Sequence, residues 1–341
     1  MSNYFPGQAK VSPSFTEPEV IVTYAQPSGA FGLLQGGTIR TKISSEDLYV
    51  YVNNLDIRTD AHASQASFNN LPSATLVANY NSTQTYLHRV RAIYDHHDMA
   101  AASQYNVSLP HAQDLACRQG IFQLMRTGLL YGIQPANGEG LLNAQGATLV
   151  TLPPDSHGAD SVSTYDNGEM ALFLLGQIVA SKSNMLQSGA GIHNRIRILS
   201  PQRIGLQLNY ANIVQVVQYQ RPGAGTATTG SVVDTLARDS GDEVEWLYDD
   251  TLIGKGAGGT DAVILTFPEI EQPDIAGINT NVFADVQPNM KAVNVMYADM
   301  AAPRKIPTPT PDGAITEIQE IRTTSGWNLR PQGLRIISMA P

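Results

Sequence analysis

The sequence predicts an α+β protein in which a strand hairpin, a long helix, a mixed region and closing strands follow in that order. Between Asp47 and Tyr94, residues alternate with the period of a strand. From His111 to Tyr131, apolar residues instead recur at the spacing of an α-helix. Strands and helices do not alternate regularly afterwards, so a doubly wound parallel sheet is not expected.

The N-terminal segment has no sustained hydrophobic period of either kind. Its prolines are spread among glycines and serines, a composition that interrupts both helices and strands. The prolines are Pro6, Pro13, Pro18 and Pro27. We therefore expect residues 1–40 to form an extended arm.

The next segment is predicted to be a two-stranded hairpin with a long polar connection. Tyr49 and Tyr51 alternate with valines in the first strand, and every second residue from Tyr86 to Tyr94 falls on one side of the second strand. Residues 59–82 between them are rich in Asn, Ser and Ala. Long connections are uncommon in compact domains unless they have a function, so we expect this hairpin to protrude and to lie over a neighbouring chain.

Three helices have recognisable start and stop signals. Ser108–Pro110 supplies a cap and a first-turn proline for the long helix, which Gly132 ends. The apolar face of this helix is wide, so burial on most sides is expected. Asp166–Glu169 is a capping box for a second helix, worth about 1 kcal/mol, and Ser200–Pro201 begins a third.

Strands are predicted for most of the remaining chain. Val244–Leu252 and Asp261–Phe267 flank the glycine-rich stretch Gly254–Gly259, which is typical of a hairpin loop. A last pair of strands, Ile315–Arg322 and Trp327–Met339, is expected to form a hairpin across a Ser-Gly turn. No internal repeat is found.

Composition and charge favour contact with other protein rather than with nucleic acid. Charged residues make up only 15% of the 341 residues, against a usual share of about 25%. The net charge of -9 is local, because residues 231–290 contain twelve acidic and two basic residues. A main partner of nucleic acid would require a clustered basic face. In an assembly, this acidic segment is expected to cause repulsion that salt weakens.

A single cysteine excludes an internal disulfide and leaves Cys117 as a small buried residue on a helix. The N-terminus has no basic-then-apolar signal, and no apolar run reaches the ~20 residues needed to cross a bilayer. We therefore expect a soluble protein made in a reducing compartment.

One cluster has side chains that suit a metal ion. Asp95–Asp98 places two histidines between two aspartates, and imidazole and carboxylate groups bind zinc, iron or manganese. Adjacent residues point in divergent directions, so at most two are expected to face one ion. A solvated junction between a strand and a helix is favoured, and a metal-dependent enzyme using Asp95–Asp98 is kept as an alternative. No catalytic, cofactor-binding or metal-binding residue is predicted.

Two loops imitate catalytic motifs without their spacing. In Ile253–Asp261 the lysine precedes most of the glycines and a strand follows, unlike a phosphate-binding loop. Pro154–Ser161 contains Ser, His and Asp, but a catalytic triad is assembled in space, and adjacency in a loop does not predict it. Arg89 and Arg91 in the second hairpin strand either face solvent or pair with acids of a neighbouring chain.

Three stretches together carry a family resemblance. The long helix is followed by the turn Gly140–Asn143, of sequence Gly-Leu-Leu-Asn. Arg195–Asn209 combines a strand with a helix, and Thr323–Met339 supplies closing strands. These stretches resemble the spine helix and its turn, the second helix of the axial domain, and the last strands of the peripheral domain in Hong Kong 97-type major capsid proteins of tailed bacteriophages.

The resemblance implies the Hong Kong 97-like capsid fold and a division of the chain into its parts. The parts are an N-terminal arm at 1–40, an extended β-hairpin loop at 41–94, a peripheral domain with the spine helix at 95–139 and 300–341, and an axial domain at 140–299. It also implies a function without enzymatic activity. The chain would self-assemble into hexamers and pentamers of an icosahedral shell that encloses the double-stranded DNA of a tailed phage.

The resemblance implies the partners as well. The chain itself is the main partner, and portal, scaffolding and decoration proteins are further candidates, with weak non-specific contact to packaged DNA and none to a membrane. No cofactor is expected. The expected location is the virion capsid, assembled in the host cytoplasm. The alternatives are an encapsulin-like compartment shell, the metal-dependent enzyme, and another phage part such as a tail or fibre component.

Overall fold

The computed structural model describes residues 28–34, 41–58, 75–103, 108–165, 167–185, 193–210, 233–234, 237–238, 241–271, 291–300 and 302–341. Its helices are α1 His96–Ser103, α2 Leu109–Leu130, α3 Asn167–Asn184 and α4 Gln202–Tyr210. Its strands are β1 Thr41–Lys42, β2 Tyr49–Arg58, β3 Thr75–Tyr94, β4 Thr148–Thr151, β5 Arg195–Ser200, β6 Glu243–Tyr248, β7 Asp261–Thr266, β8 Glu269–Glu271, β9 Lys291–Val293, β10 Val295–Met296, β11 Ala298–Asp299, β12 Arg304–Pro309, β13 Ile315–Thr324, β14 Trp327–Asn328 and β15 Arg335–Met339.

A first sheet is built around the predicted hairpin. Its strand order is β1-β11-β13-β3-β2, and β12 also pairs with β13. The first half of β3 pairs with β2 and the second half with β13. The hairpin is therefore confirmed, but its strands extend to Arg58 and restart at Thr75, so the connection is shorter than residues 59–82. Polar residues occur in strands as well as in loops, so the polarity of residues 59–82 does not mark the strand ends.

Helix α2 packs on one face of the first sheet. The alternate residues of β3 from His88 to Tyr94 lie on this face and are largely buried. Ser108 is the N-cap residue, and the chain leaves the helix at Gly132 with φ +73, as predicted. Burial on most sides is wrong, because one side of α2 is exposed, at Ala112, Ala116, Gln123 and Thr127.

The second sheet is buried on both faces. Its strand order is β4-β15-β7-β5-β6, and all six residues of β7 are buried. Val263 and Leu265 contribute to a core with α3 and α4, whereas Ala262 and Ile264 contribute to a second core with α2. A continuous apolar run, rather than an alternating one, is what a strand covered on both faces requires.

The hairpin predicted across the glycine-rich loop is wrong. Strand β5 lies between β6 and β7, parallel to β6 and antiparallel to β7. The connection from Asp249 to Thr260 therefore passes the end of β5 instead of making a tight turn. Hydrophobic patterns predict that a segment is a strand, but its neighbour in the sheet is chosen by packing between distant segments.

The closing hairpin is wrong for the same reason. Strand β13 belongs to the first sheet, whereas β15 lies between β4 and β7 in the second. The short β14 pairs with β10. The stretch Thr323–Met339 therefore divides between the two sheets, with Ser325 and Gly326 at the crossing.

The other predicted starts have mixed outcomes. Helix α4 begins directly after Ser200–Pro201, as predicted. Helix α3 begins at Asn167, but Asp166 lies outside the described residues, and so does most of the predicted arm, at 1–27 and 35–40. The described part of the arm forms a short turn, Ala30–Leu33. Among the residues described, no helix is both long and apolar enough to span a membrane.

Candidate functional site

The cluster Asp95–Asp98 forms the predicted junction between β3 and α1. The Asp95 carboxylate accepts a hydrogen bond from the backbone N of His96 at 2.6 Å, which lowers the pKa of Asp95. Ligand atoms of Asp95, His96 and His97 all lie within 4.8 Å of one another, so the expectation that at most two could converge is wrong. The helix start brings them together. His96 Nδ1 is 2.6 Å from Asp95 Oδ1, and the His96 and His97 rings are 3.9 Å apart, so contacts between neighbours in the sequence bring the three side chains together.

The loop Pro154–Ser161 organises itself around one carboxylate. Asp155 accepts hydrogen bonds from the backbone N–H groups of Ala159 at 2.7 Å and His157 at 2.8 Å. These hydrogen bonds lower the pKa of Asp155, and the bond from Ala159 contributes most. The His157 imidazole lies 3.0 Å from the hydroxyl of Ser156, its chain neighbour. The arrangement stabilises an exposed turn and does not align a histidine between an acid and a nucleophile.

Three glycines meet where the chain passes between the two sheets. Gly140, with φ +84, lies so close to Gly132 that a Cβ at Gly140 would be 2.3 Å from the Gly132 N. A Cβ at Gly326 would lie 2.3 Å from the carbonyl oxygen of Leu129. The Gly140 N–H donates to the Gly326 carbonyl at 2.9 Å. The end of α2, the Gly140–Asn143 turn and the crossing strand are therefore packed backbone against backbone.

Glu139 joins the end of α2 and the crossing strand to β3 through its side chain. Its carboxylate accepts hydrogen bonds from the Tyr86 hydroxyl at 2.6 Å, the Gln134 N–H at 3.0 Å and the Ser325 hydroxyl at 2.8 Å. Burial and the neighbouring carboxylate raise the pKa of Tyr86. These hydrogen bonds of Glu139 could not be predicted from the sequence. The residues that make them lie in β3, after the end of α2 and after the end of β13, and the turn that begins at Gly140 is the one local signal.

Residues 28–34 are held against the second sheet by polar contacts. The Ser28 hydroxyl donates to the Asp249 carboxylate just after β6. Arg197 in β5 donates from Nη1 to the carbonyl oxygen of Leu34 at 2.8 Å, and its side chain is buried. The described part of the arm is thus bonded at both of its ends.

The acidic segment is partly neutralised inside the chain. Within its described residues, five carboxylates form ion pairs, and four of the cations come from residues 182–203, outside the segment. The pairs are Asp242 with Lys182 at 2.6 Å, Asp261 with Arg203 at 2.5 Å, Glu245 with Arg197 at 3.0 Å, Glu243 with Arg195 at 3.4 Å, and Asp234 with Arg238 at 2.6 Å. The local charge read along the sequence therefore overstates the charge that the folded chain presents.

The two hairpin arginines have different surroundings. Arg89 pairs with Glu320 of the adjacent strand at 3.2 Å, within the same chain. Arg91, two residues along on the same face, is exposed, and no carboxylate of the described residues is within ion-pair distance of it. An intramolecular partner for Arg89 was not among the expected outcomes, because β13 is more than 200 residues away in sequence.

Comparison with known proteins identifies the fold. No protein-family model matches the sequence, and no curated protein is similar to it in sequence. A capsid chain of Myoviridae phage XM1 has a TM-score of 0.69 and 11% identity, and the match covers 96% of this chain and 97% of that one. The capsid of an empty GTA particle has a TM-score of 0.54 and 9% identity, with 97% and 96% covered. A chain from Gordonia phage Cozz has a TM-score of 0.53 and 15% identity, with 100% and 98% covered.

These matches run from one end of the chain to the other, so the similarity concerns the whole architecture and not a shared motif. At such low identity the likeness establishes the fold and leaves the function to be argued. The α+β prediction is confirmed. The resemblance that the three sequence stretches carried is also confirmed at the level of the fold, since this chain has the fold of phage capsid proteins.

Proposed function

We propose that the chain is the major capsid protein of a tailed phage, which self-assembles into hexamers and pentamers of an icosahedral shell around double-stranded DNA. The observation that carries the proposal is the end-to-end match to a capsid chain of Myoviridae phage XM1. The protruding hairpin supports it, since a two-stranded ribbon is at best marginally stable by itself. A neighbouring copy would cover it.

The division of the chain is part of the proposal. Residues 1–40 would be the arm, 41–94 the extended loop, 95–139 with 300–341 the peripheral domain, and 140–299 the axial domain. Contacts of Asp114 in α2 with Gln319 and Lys305 support placing 95–139 and 300–341 in one unit, and the pairing of β3 with β13 along ten residues joins the extended loop to it. The last strand, β15, pairs with β4 and β7, which lie within 140–299, so residues 335–339 are an exception within 300–341 and we assign them to the axial domain.

The proposed partners follow from the same role. Other copies of the chain are the main partner, with portal, scaffolding and decoration proteins and weakly held DNA as further ones. The site of assembly would be the host cytoplasm and the final location the virion. The role is structural rather than enzymatic. Nothing observed in the described part of the chain favours the encapsulin-like shell or the metal-dependent enzyme.

Electron microscopy of the purified full-length chain tests the proposal. We expect closed icosahedral particles built from pentamers and hexamers. Tubes would indicate a tail component, and a protein that stays unassembled at every concentration and with phage-infected cell extract added would contradict the proposal. Nuclease-protected double-stranded DNA in particles from infected cells would separate a phage capsid from an encapsulin-like compartment.

A further inference from the structure

The junction between β3 and α1 holds three metal-binding side chains at the surface. The carboxylate of Asp95 and the imidazole groups of His96 and His97 offer ligand atoms that all lie within 4.8 Å of one another. Among the residues that the structure describes, this is the one group of three such side chains. Both histidines are exposed and Asp95 is half-buried, so an ion from solution can reach the ligand atoms.

The separations in this cluster are close to those of a metal-bound set. Zinc binds histidine nitrogen and carboxylate oxygen at about 2.0–2.2 Å in a tetrahedral arrangement, so its ligand atoms lie roughly 3.3–3.5 Å apart. The largest separation in the cluster therefore has to shrink by about 1.5 Å at most. The His96 side chain is 64% exposed, so rotation about its side-chain bonds can supply such a movement.

The contact between Asp95 and His96 holds two of the ligand atoms together. His96 Nδ1 and Asp95 Oδ1 are 2.6 Å apart, a distance that requires a proton between the nitrogen and the oxygen. A dication replaces that proton, which is released to solvent, and the two atoms separate by about 0.7–0.9 Å. The His97 ring, with its centroid 3.9 Å from that of His96, supplies the second imidazole.

The charge of the junction favours a cation in spite of the helix end. The N-terminus of a helix carries about half a positive charge, which by itself repels a cation. Asp95 and Asp98 bring two negative charges to this point, since Asp98 lies in the first turn of α1 and its Oδ2 accepts a hydrogen bond from the Asp95 N–H at 3.3 Å. Two carboxylates against half a charge leave the junction negative.

Helix α1 has little tertiary packing to stabilise it. It has eight residues, and Ala102 is the one buried residue among them. Isolated helices shorter than about 12–15 residues are marginal in water. The helix start is also what brings the three ligand atoms together, so an ion bound there stabilises the helical geometry, and part of the binding free energy becomes folding free energy.

We propose that Asp95, His96 and His97 bind a zinc ion and that this ion stabilises the start of α1. Two imidazole groups among three ligands favour zinc over magnesium and calcium, which prefer oxygen atoms. The histidines lie on an open surface, unlike the dry, shaped cavities of metal enzymes, so we assign the ion to stability and not to catalysis. The inference goes beyond the proposed function and does not depend on it, because a subunit binds the ion whether or not it assembles.

Calorimetric titration of the untagged full-length chain with zinc chloride tests the site. We expect one zinc ion per chain and no binding of magnesium at the same concentration. His97→Ala is expected to weaken zinc binding at least tenfold. His157→Ala is the matched control, because His157 is also exposed and lies beside Asp155, and its zinc affinity should stay within twofold of wild type. Equal zinc affinity of wild type and His97→Ala overturns the inference.

Hydrogen exchange separates a stabilising ion from adventitious binding at the surface. At about 100 times the dissociation constant, zinc favours the bound state about 100-fold, so the backbone N–H groups of Met99–Ser103 are expected to exchange at least tenfold more slowly than without zinc. Those of α4 should be unchanged, and His97→Ala should remove the effect. Zinc that binds without slowing exchange in α1 overturns the inference. Absence of particles from the wild-type chain contradicts the proposed function alone, because both measurements are made on the subunit.

Discussion

At the scale of single residues, the buried carboxylate of Asp299 makes stability depend on pH. Asp299 lies in β11 and is 8% exposed, and burial raises its pKa to about 6, against a smaller opposing effect of Lys42. The folded state therefore holds a proton that the unfolded chain releases near pH 4. The contribution of Asp299 to the free energy of unfolding is therefore complete below about pH 4 and is lost as the pH rises through about 6.

The substitution Asp299→Asn removes this titration. We expect the variant to match wild type at pH 4 and to be more stable at pH 7 by about 2 to 3 kcal/mol. Chemical denaturation at the two pH values measures the difference. Asp312→Asn, in the exposed β12–β13 turn, should change stability by less than about 0.5 kcal/mol at either pH. An equal gain for Asp299→Asn at both pH values would contradict the assignment.

Residues that act through local geometry could be predicted, and residues that act through distant partners could not. Gly132 was recognisable as a helix stop, because a glycine with positive φ belongs where a helix ends. The role of Glu139 was not recognisable, since its partner Tyr86 is 53 residues away and Ser325 is 186 residues away. Nothing in the residues beside a glutamate indicates contacts at that separation.

At the scale of elements, the packing of α2 depends on an aromatic contact with the arm. The Phe122 ring lies 5.3 Å from that of Phe31, which in turn packs against Tyr297 at 5.9 Å. Phe122→Ala is expected to cost about 2 to 4 kcal/mol, near the lower end for a phenylalanine because the residue is only half-buried. Leu115→Ala, two turns earlier on nearly the same face but 38% exposed, should cost less than about 1 kcal/mol. Equal losses in urea denaturation would show that the contact with Phe31 does not determine the cost at Phe122.

The connection between β2 and β3, residues 59–74, is expected to be needed for assembly and not for folding. Replacing residues 59–74 by a short Gly-Ser linker leaves the strand pairing from Arg58 to Thr75 at its existing register. We expect a soluble subunit with an unchanged unfolding transition that no longer forms closed particles. Sedimentation and electron microscopy measure the two properties. Normal particles from the shortened chain would show that residues 59–74 are not needed for assembly, which would contradict this prediction.

The sequence predicted which segments form helices or strands better than it predicted which strands pair with each other. The starts of α2 and α4 and the hairpin of β2 with β3 followed from caps and short-range alternation. The pairings β6 with β5 and β15 with β7 did not, because their paired residues are separated by 48 residues in the first case and by 70 to 78 in the second. A turn signal such as Gly254–Gly259 marks a change of direction without showing how many strands lie between its two sides.

At the scale of the whole molecule, folding redistributes the charge that the sequence concentrates in residues 231–290. Asp242 and Asp261 are buried and pair with Lys182 and Arg203, and Glu243 and Glu245 pair with arginines of β5. The net charge of -9 is unchanged, but less of it is concentrated in one place. Repulsion between copies should therefore come from the molecule as a whole more than from one acidic surface.

This redistribution predicts a moderate dependence of assembly on salt. Charges farther apart than about 10 Å are screened at 0.1 M salt, so repulsion between copies should weaken and light scattering by assembling subunits should rise with ionic strength. Arg195→Gln removes the partner of exposed Glu243 and adds one net negative charge, so its assembly should rise more steeply with salt than that of wild type. Equal slopes would show that internal pairing does not moderate the repulsion. Scattering that falls as salt rises would mean that attraction between oppositely charged surfaces dominates assembly, and the inferred repulsion would then be wrong in sign.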